Sequence, residues 1–91
     1  MVYIRIREVD KTILLGFLVL TKGSLDEYVK QEDITSKFPP MKRKMIRYAL
    51  KRLVHARLLS EHPEENTYKF TQDGLNEARK VLYQGAKLWK I

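Results

Sequence analysis

The sequence predicts an α+β domain: three helices, a two-stranded β-hairpin, and an additional C-terminal helix. Three observations predict it. Apolar residues recur at steps of three and four in separate segments of the chain. Two short β-prone runs, Leu59–His62 and Thr67–Phe70, flank the turn-forming stretch Pro63-Glu64-Glu65-Asn66. Gly23, Pro39-Pro40 and Thr71 fall between these segments, where helices should stop or start.

The elements follow in chain order. Val2, Ile4 and Ile6 alternate with Tyr3, Arg5 and Arg7, which reads as a short N-terminal strand or an extended arm over residues 1–9. Asp10 is a suitable N-cap, and Ile13, Leu14, Phe17 and Leu18 then give a first helix over about 11–22, closed by Gly23. Gly16 lies inside it, as a tolerated glycine or as a point of close helix contact; its cost of about 1 kcal/mol against alanine favours the contact. Ser24-Leu25-Asp26-Glu27 matches a capping box and starts a second helix. The apolar positions Leu25, Tyr28 and Val29 are out of phase with Ile34 and Phe38, so this helix is bent, or split near Gln31. Pro39 and Pro40 end it.

The third helix is expected over about 41–56, with Pro40 suited to its first position. At about 100° per residue with Lys42 at zero, Ile46, Ala49, Leu50 and Leu53 share an arc from roughly 340° to 80°. Lys44, Arg47, Tyr48, Lys51 and His55 share the opposite arc, roughly 140° to 240°. Met41 and Met45 are read as helix-packing residues. Thr71 caps the last helix, residues 72–91, on which Leu75, Ala78, Leu82, Gly85 and Trp89 form a heptad-like seam. That seam either packs on its own domain or is shared with a second subunit. A chain of 91 residues is one domain with a small core, burying roughly 60–65% of its unfolded surface, which favours the shared seam and a homodimer.

Charge is concentrated in one place. Ile34–Ser60 holds Lys37, Lys42, Arg43, Lys44, Arg47, Lys51, Arg52 and Arg57 and no acid, a formal +8. The rest of the chain carries the other 10 basic residues and all 11 acids, a sum of −1, and the two parts make the net +7. A single-signed face of this kind is the electrostatic footprint of a polyanion binder, whereas a solubilising surface mixes both signs.

Several classes are disfavoured. The sequence has no cysteine, so disulfides, thiolate metal sites and cysteine nucleophiles do not arise. The four glycines are isolated and build no phosphate-cradling loop. His55 and His62 are the two histidines, and no carboxylate lies within helical reach of His55, so no metal set is expected. The reading is therefore of a protein that is not an enzyme, with no cofactor, no metal and no evident small-molecule ligand. The N-terminus lacks a signal-like apolar core, and the run Ile13–Leu20 is far shorter than the roughly 20 residues that span a bilayer. A cytoplasmic, nucleoid-associated protein with no membrane partner is expected.

The segment "RYALKRLVHARLLSEHPEENTYKFTQDG" resembles the winged helix-turn-helix family. Ala49, Leu50 and Leu53 stand as the A-L-x-x-L pattern that closes the family's recognition helix. Leu58 and Leu59 stand as the apolar pair opening the wing, and Phe70, Thr71 and Gly74 as the aromatic-T-x-x-G that closes it. The likeness spans residues 10 to 84 and looks closest to small dimeric MarR- and PadR-type regulators and to short winged-helix proteins of archaea and their viruses. It implies a three-helix core with a hairpin wing and an additional C-terminal helix, and a homodimer binding double-stranded DNA in a sequence-specific way, as in transcription regulation. The third helix would lie in the major groove, with Arg47 on base edges and Lys42, Arg43 and Lys44 near phosphates. Tyr48, Lys51 and Arg52 would touch backbone or bases, and Lys69 the backbone from its strand. Glu64 and Glu65 at the wing tip would repel phosphates, so the tip is not expected to insert. "HARLL" replaces the family's usual glycine after the recognition helix, so Ala56 or Arg57 must end that helix another way. The competing readings are an architectural protein coating DNA with little sequence preference, and a winged-helix protein–protein interaction module, to which the acidic wing lends weight.

Overall fold

The computed structural model describes residues 7–88. The expected strand residues Val2, Ile4 and Ile6, and Trp89 of the proposed seam, lie outside them. The described residues form an α+β fold of four α-helices and one three-stranded antiparallel sheet.

Helix α1 spans Glu8–Thr21, three residues earlier than expected, so Glu8 and Val9 belong to it and not to an arm. Asp10 is its third residue rather than its cap. From there the carboxylate accepts the backbone N–H of Arg7 at 3.2 Å, satisfying a donor that the helix start leaves free. Lys22 and Gly23, with φ of 54° and 80°, turn the chain out of the helix.

The expected helix from Ser24 does not form at that place. The Ser24 hydroxyl accepts the Asp26 N–H at 3.2 Å, a local turn that competes with helix formation. Val29–Lys30 then extend as strand β1, and helix α2 is only Gln31–Thr35. The capping-box reading is overturned by tertiary pairing: Val29 sits opposite Tyr68 in the sheet and is buried there. A 3-10 turn at Pro40–Lys42 leads into helix α3, Arg43–His55.

Strands β2 (Leu59–His62) and β3 (Thr67–Phe70) make the expected hairpin, but β1 adds a third strand in the order β1-β3-β2. Leu59 opposes Phe70, and Glu61 opposes Tyr68. Strand alternation turns Leu59, Tyr68, Phe70 and Val29 to the helical side, and Ser60, His62 and Lys69 to the other face. The core closes between sheet and helices, with Phe17 of α1 and Phe70 of β3 at 5.8 Å between ring centroids. Ile46, Ala49, Leu50 and Leu53 supply the α3 side of it, the face their spacing predicts.

Two junctions hold α3 and the sheet in place. Arg57, where glycine is common, itself takes a left-handed φ of 62°. Its N–H donates to Val54 O at 3.0 Å, and the Leu58 N–H to Leu53 O at 2.9 Å, the two bonds of a Schellman ending. After β3, the Thr71 hydroxyl accepts the Gly74 N–H at 3.0 Å and donates to Arg57 O at 2.6 Å. Thr71 thus caps helix α4 (Gln72–Leu88) and ties its start to the end of α3. Gly74 packs so tightly there that a Cβ would collide with the Leu58 carbonyl. This is the physical content of the aromatic-T-x-x-G pattern.

Along α4 the expected seam divides. Leu75 and Ala78 are buried in the core of their own chain, so they are not free for a partner. Leu82, one turn further, is 54% exposed. Gly85 lies on the same helix beyond it. Among the described residues no helix is long and apolar enough to cross a membrane.

Candidate nucleic-acid interface

The outward face of α3 carries exposed cations. The sequence folds this way because the apolar arc Ile46-Ala49-Leu50-Leu53 can be buried only by turning the opposite arc to water. Lys42, at the end of the 3-10 turn, and Arg43, Lys44, Arg47 and Lys51 on α3 are all exposed. Among the described residues none of these five has a salt-bridge partner; the ion pairs are Lys11–Glu8, Arg52–Asp10 and Lys80–Glu77. No acid occurs on α3 itself. Five unpaired cations on and beside 13 residues of helix repel one another, and a bound polyanion would relieve that cost.

Each predicted residue can now be placed. Lys44, Arg47, Tyr48 and Lys51 line one groove, Arg43 shares a second with Arg47, and Lys42 is exposed at the end of the 3-10 turn. Arg47 borders two grooves. One lies between α3 and the sheet and is lined by Gln31, Lys44, Arg47, Tyr48, Lys51, Glu61, Asn66 and Tyr68. The other lies between α3, α2 and the hairpin turn, where Arg43 and Arg47 meet Gln31, Glu32 and Glu65.

Arg52 departs from expectation. Its Nη2 donates to Asp10 Oδ1 at 2.8 Å, and its Nε is buried without a partner among the described residues. Asp10 is buried in α1, so Arg52 is held as a tie between α3 and α1 rather than standing free with the other cations. Lys69 also departs. It projects from the sheet face opposite Tyr68, with its Nζ 5.0 Å from the ring centroid of Tyr28. The ring and the strand alternation set it apart from the α3 surface.

The hairpin turn is short and tied to the start of α2. The Asn66 carbonyl accepts the Gln31 N–H at 2.9 Å, drawing the tip to the start of α2. Glu64 and Glu65 on this tip are exposed. Under it, Tyr68 donates its hydroxyl proton to Gln31 Oε1 at 3.2 Å. Burial, and secondarily the charge of Glu61, pushes the Tyr68 pKa above its ordinary value, so the phenol stays a donor.

Sequence reasoning missed four contributors. Met41 and Met45 are not helix-packing residues: they are 87% and 50% exposed. The signal was available for Met45, which falls at roughly 300° on the wheel used above, outside the buried arc. Gln31 and Glu61 wall the groove beside Arg47; Gln31 follows β1, whose pairing with β3 left no periodic trace in sequence, and Glu61 lies on β2 of the hairpin.

Comparison with known proteins adds no relative: no family model, no curated protein and no solved structure matches this chain.

Proposed function

We propose that this chain is a winged-helix protein that binds double-stranded DNA, with α3 in the major groove, and that it acts as a sequence-specific transcription regulator in the cytoplasm. The observation that carries the reading is the row of exposed, unpaired cations on the outward face of a helix whose inner face is core. The architecture supports it. A helix, a short strand, two helices meeting at a proline-marked turn, and a hairpin closing a β1-β3-β2 sheet is the arrangement of a winged helix. A groove of about 12 Å admits one helix, and 13 residues of α3 span about 20 Å of it.

The site binds by two means. Lys42, Arg43, Lys44 and Lys51 neutralise phosphates and release counterions. Arg47, on the flank toward α2 and the sheet, offers a planar fork to guanine acceptors. The acidic tip, tied to the start of α2, leaves recognition to α3. A homodimer would present two such helices, with the exposed Leu82 portion of α4 at its interface.

Titration of a duplex pool at several salt concentrations tests the reading. If about six phosphates per dimer are contacted, log K falls against log salt with a slope near −5. A flat response would sink it. Protein capture at high salt without any duplex binding at low salt would instead favour an interaction module.

A further inference from the structure

The outward face of α3 is not uniformly cationic. Arg43 and Arg47 occupy the flank toward α2 and the sheet, and Lys44 and Lys51 the crest. The far flank carries less charge: Met45 stands there beside Arg52 and His55, and Tyr48 stands between it and the groove of Arg47. Met45 is 50% exposed and Tyr48 56%, and Met41 stands ahead of them in the 3-10 turn at 87%. Met45 and Tyr48 line an open trough of about 770 Å³ together with Lys44, Lys51, Arg52 and His55. Among the described residues the core closes without these side chains, and their apolar surface stands open on the outward side of α3.

An occupant of this strip must satisfy both halves of the face. It must be strongly anionic, because unpaired lysines stand along the same trough. It must also present small apolar groups at the depth a methionine reaches. Duplex DNA meets both conditions at one kind of position: among the groups on base edges in the major groove, the thymine C5-methyl is the apolar one. Met45 and Tyr48 are three residues apart, about 4.5 Å along the helix axis, between one and two base-pair steps of about 3.4 Å.

We propose that Met45 and Tyr48, led by Met41, form a methyl-reading strip that seats against thymine C5-methyl groups, while the cations of the same helix hold the backbone. The proposal rests on the DNA-binding reading above and adds a specificity to it. Arg47 reads hydrogen-bond acceptors on one flank of the helix, and the strip reads methyl groups on the other.

The test compares two duplexes of the same alternating A·T sequence, one built with thymine and one with deoxyuridine, titrated at matched salt. Deoxyuridine keeps every hydrogen-bonding group and lacks only the methyl. The thymine duplex should bind more tightly by about four-fold for each methyl group buried. A G·C duplex carrying 5-methylcytosine, which places a methyl at the same groove position, should likewise bind more tightly than its unmethylated form. Met45→Ser should collapse the thymine–deoxyuridine difference toward one, and Met45→Leu should restore it. Both positions 45 and 48 are half-exposed, so Tyr48→Ser gives a second variant expected to fold.

Equal affinity of the wild-type protein for the thymine and deoxyuridine duplexes overturns the strip and leaves DNA binding standing. Absence of duplex binding at low salt removes both readings together. If Met45→Ser instead turns a dimer into a monomer without DNA, the strip is an interface between copies, and the proposal fails. An acidic helical peptide that binds the strip where no duplex does would overturn it equally.

Discussion

Arg52 and Asp10 stand 42 residues apart in sequence and 2.8 Å apart in space, joining α3 to α1 through a carboxylate that also accepts the Arg7 N–H. Their pairing separates one arginine of the basic segment from the others. Arg52→Ala should lower folding stability by about 1–2 kcal/mol, since it leaves a buried carboxylate without its cation. It should change the salt slope of duplex binding by less than Lys51→Ala, which should reduce the slope by about one and leave stability near wild type. Urea unfolding and salt titrations on both variants measure the two effects. An Arg52→Ala protein of undiminished stability would show that the pair contributes nothing to holding α3 in place.

Two glycines should respond in opposite ways to alanine. At Gly74 a Cβ meets the Leu58 carbonyl, which is fixed by the Thr71 N–H and by the turn at Arg57. Backbone cannot yield there as a side-chain tip can, so Gly74→Ala should cost about 3 kcal/mol or more, or prevent folding. At Gly16 a Cβ would sit 3.6 Å from Ile34 Cδ1, an ordinary contact inside α1. Gly16→Ala should therefore stabilise by about 1 kcal/mol. Thermal melts of the pair distinguish the sites, and a destabilised Gly16→Ala variant would mean that the close-contact reading of this glycine was right.

The apolar arc of α3 and the hairpin register could be read from sequence because both depend on local periodicity that burial then enforces. Thr71 and Gly74 could be read as a pattern, but the reason for the glycine lies in the approach of Leu58, 16 positions earlier. The start of α2 could not be read. Ser24 and Glu27 fit a capping box, yet a two-residue strand opposite Tyr68 outweighed it, and a strand so short has no period to detect. Within the candidate site, charge alone grouped Arg52 with its neighbours. Only the fold shows that a carboxylate on another helix had taken it, and that Met45 had been left outside the core.

Arg57 holds a left-handed conformation that costs a residue with a Cβ about 1 kcal/mol. Its backbone bonds, from Arg57 N–H to Val54 O and from Leu58 N–H to Leu53 O, need no side chain. Arg57→Gly should therefore stabilise the fold by about 1 kcal/mol, and Arg57→Val should destabilise it by more, because β-branching worsens the same strain. Chemical denaturation midpoints of the two variants bracket the wild type if this holds.

Alkaline pH should weaken the fold through Tyr68. Its folded pKa is raised above the ordinary 10.0, chiefly by burial and then by Glu61. A group shifted in this direction contributes stability that is fully present below the unfolded pKa and is lost as pH rises through the folded one. Stability should hold up to pH 10.0 and fall above it. Tyr68→Phe should lose up to about 1 kcal/mol at neutral pH, with the bond to Gln31 gone, but should decline less steeply in alkali. Parallel profiles for the two proteins above that pH would remove Tyr68 as the cause.

Arg47 and Lys42 should separate reading from holding. Arg47 lies one turn into α3 and borders two grooves, where on the proposed reading its side chain would meet base edges. Lys42 precedes the helix, at the end of the 3-10 turn, where on the same reading it would lie nearer the phosphates. Loss of a bidentate base contact costs about 1–3 kcal/mol on the preferred sequence and little on random DNA, which is the outcome expected for Arg47→Ala. Lys42→Ala should weaken binding to both by similar factors and lower the salt slope by about one. Affinities of both variants for a selected and a random duplex at matched salt decide the matter. If Arg47→Ala weakens the two duplexes equally, α3 holds phosphates without reading sequence, and an architectural role for this protein displaces that of a regulator.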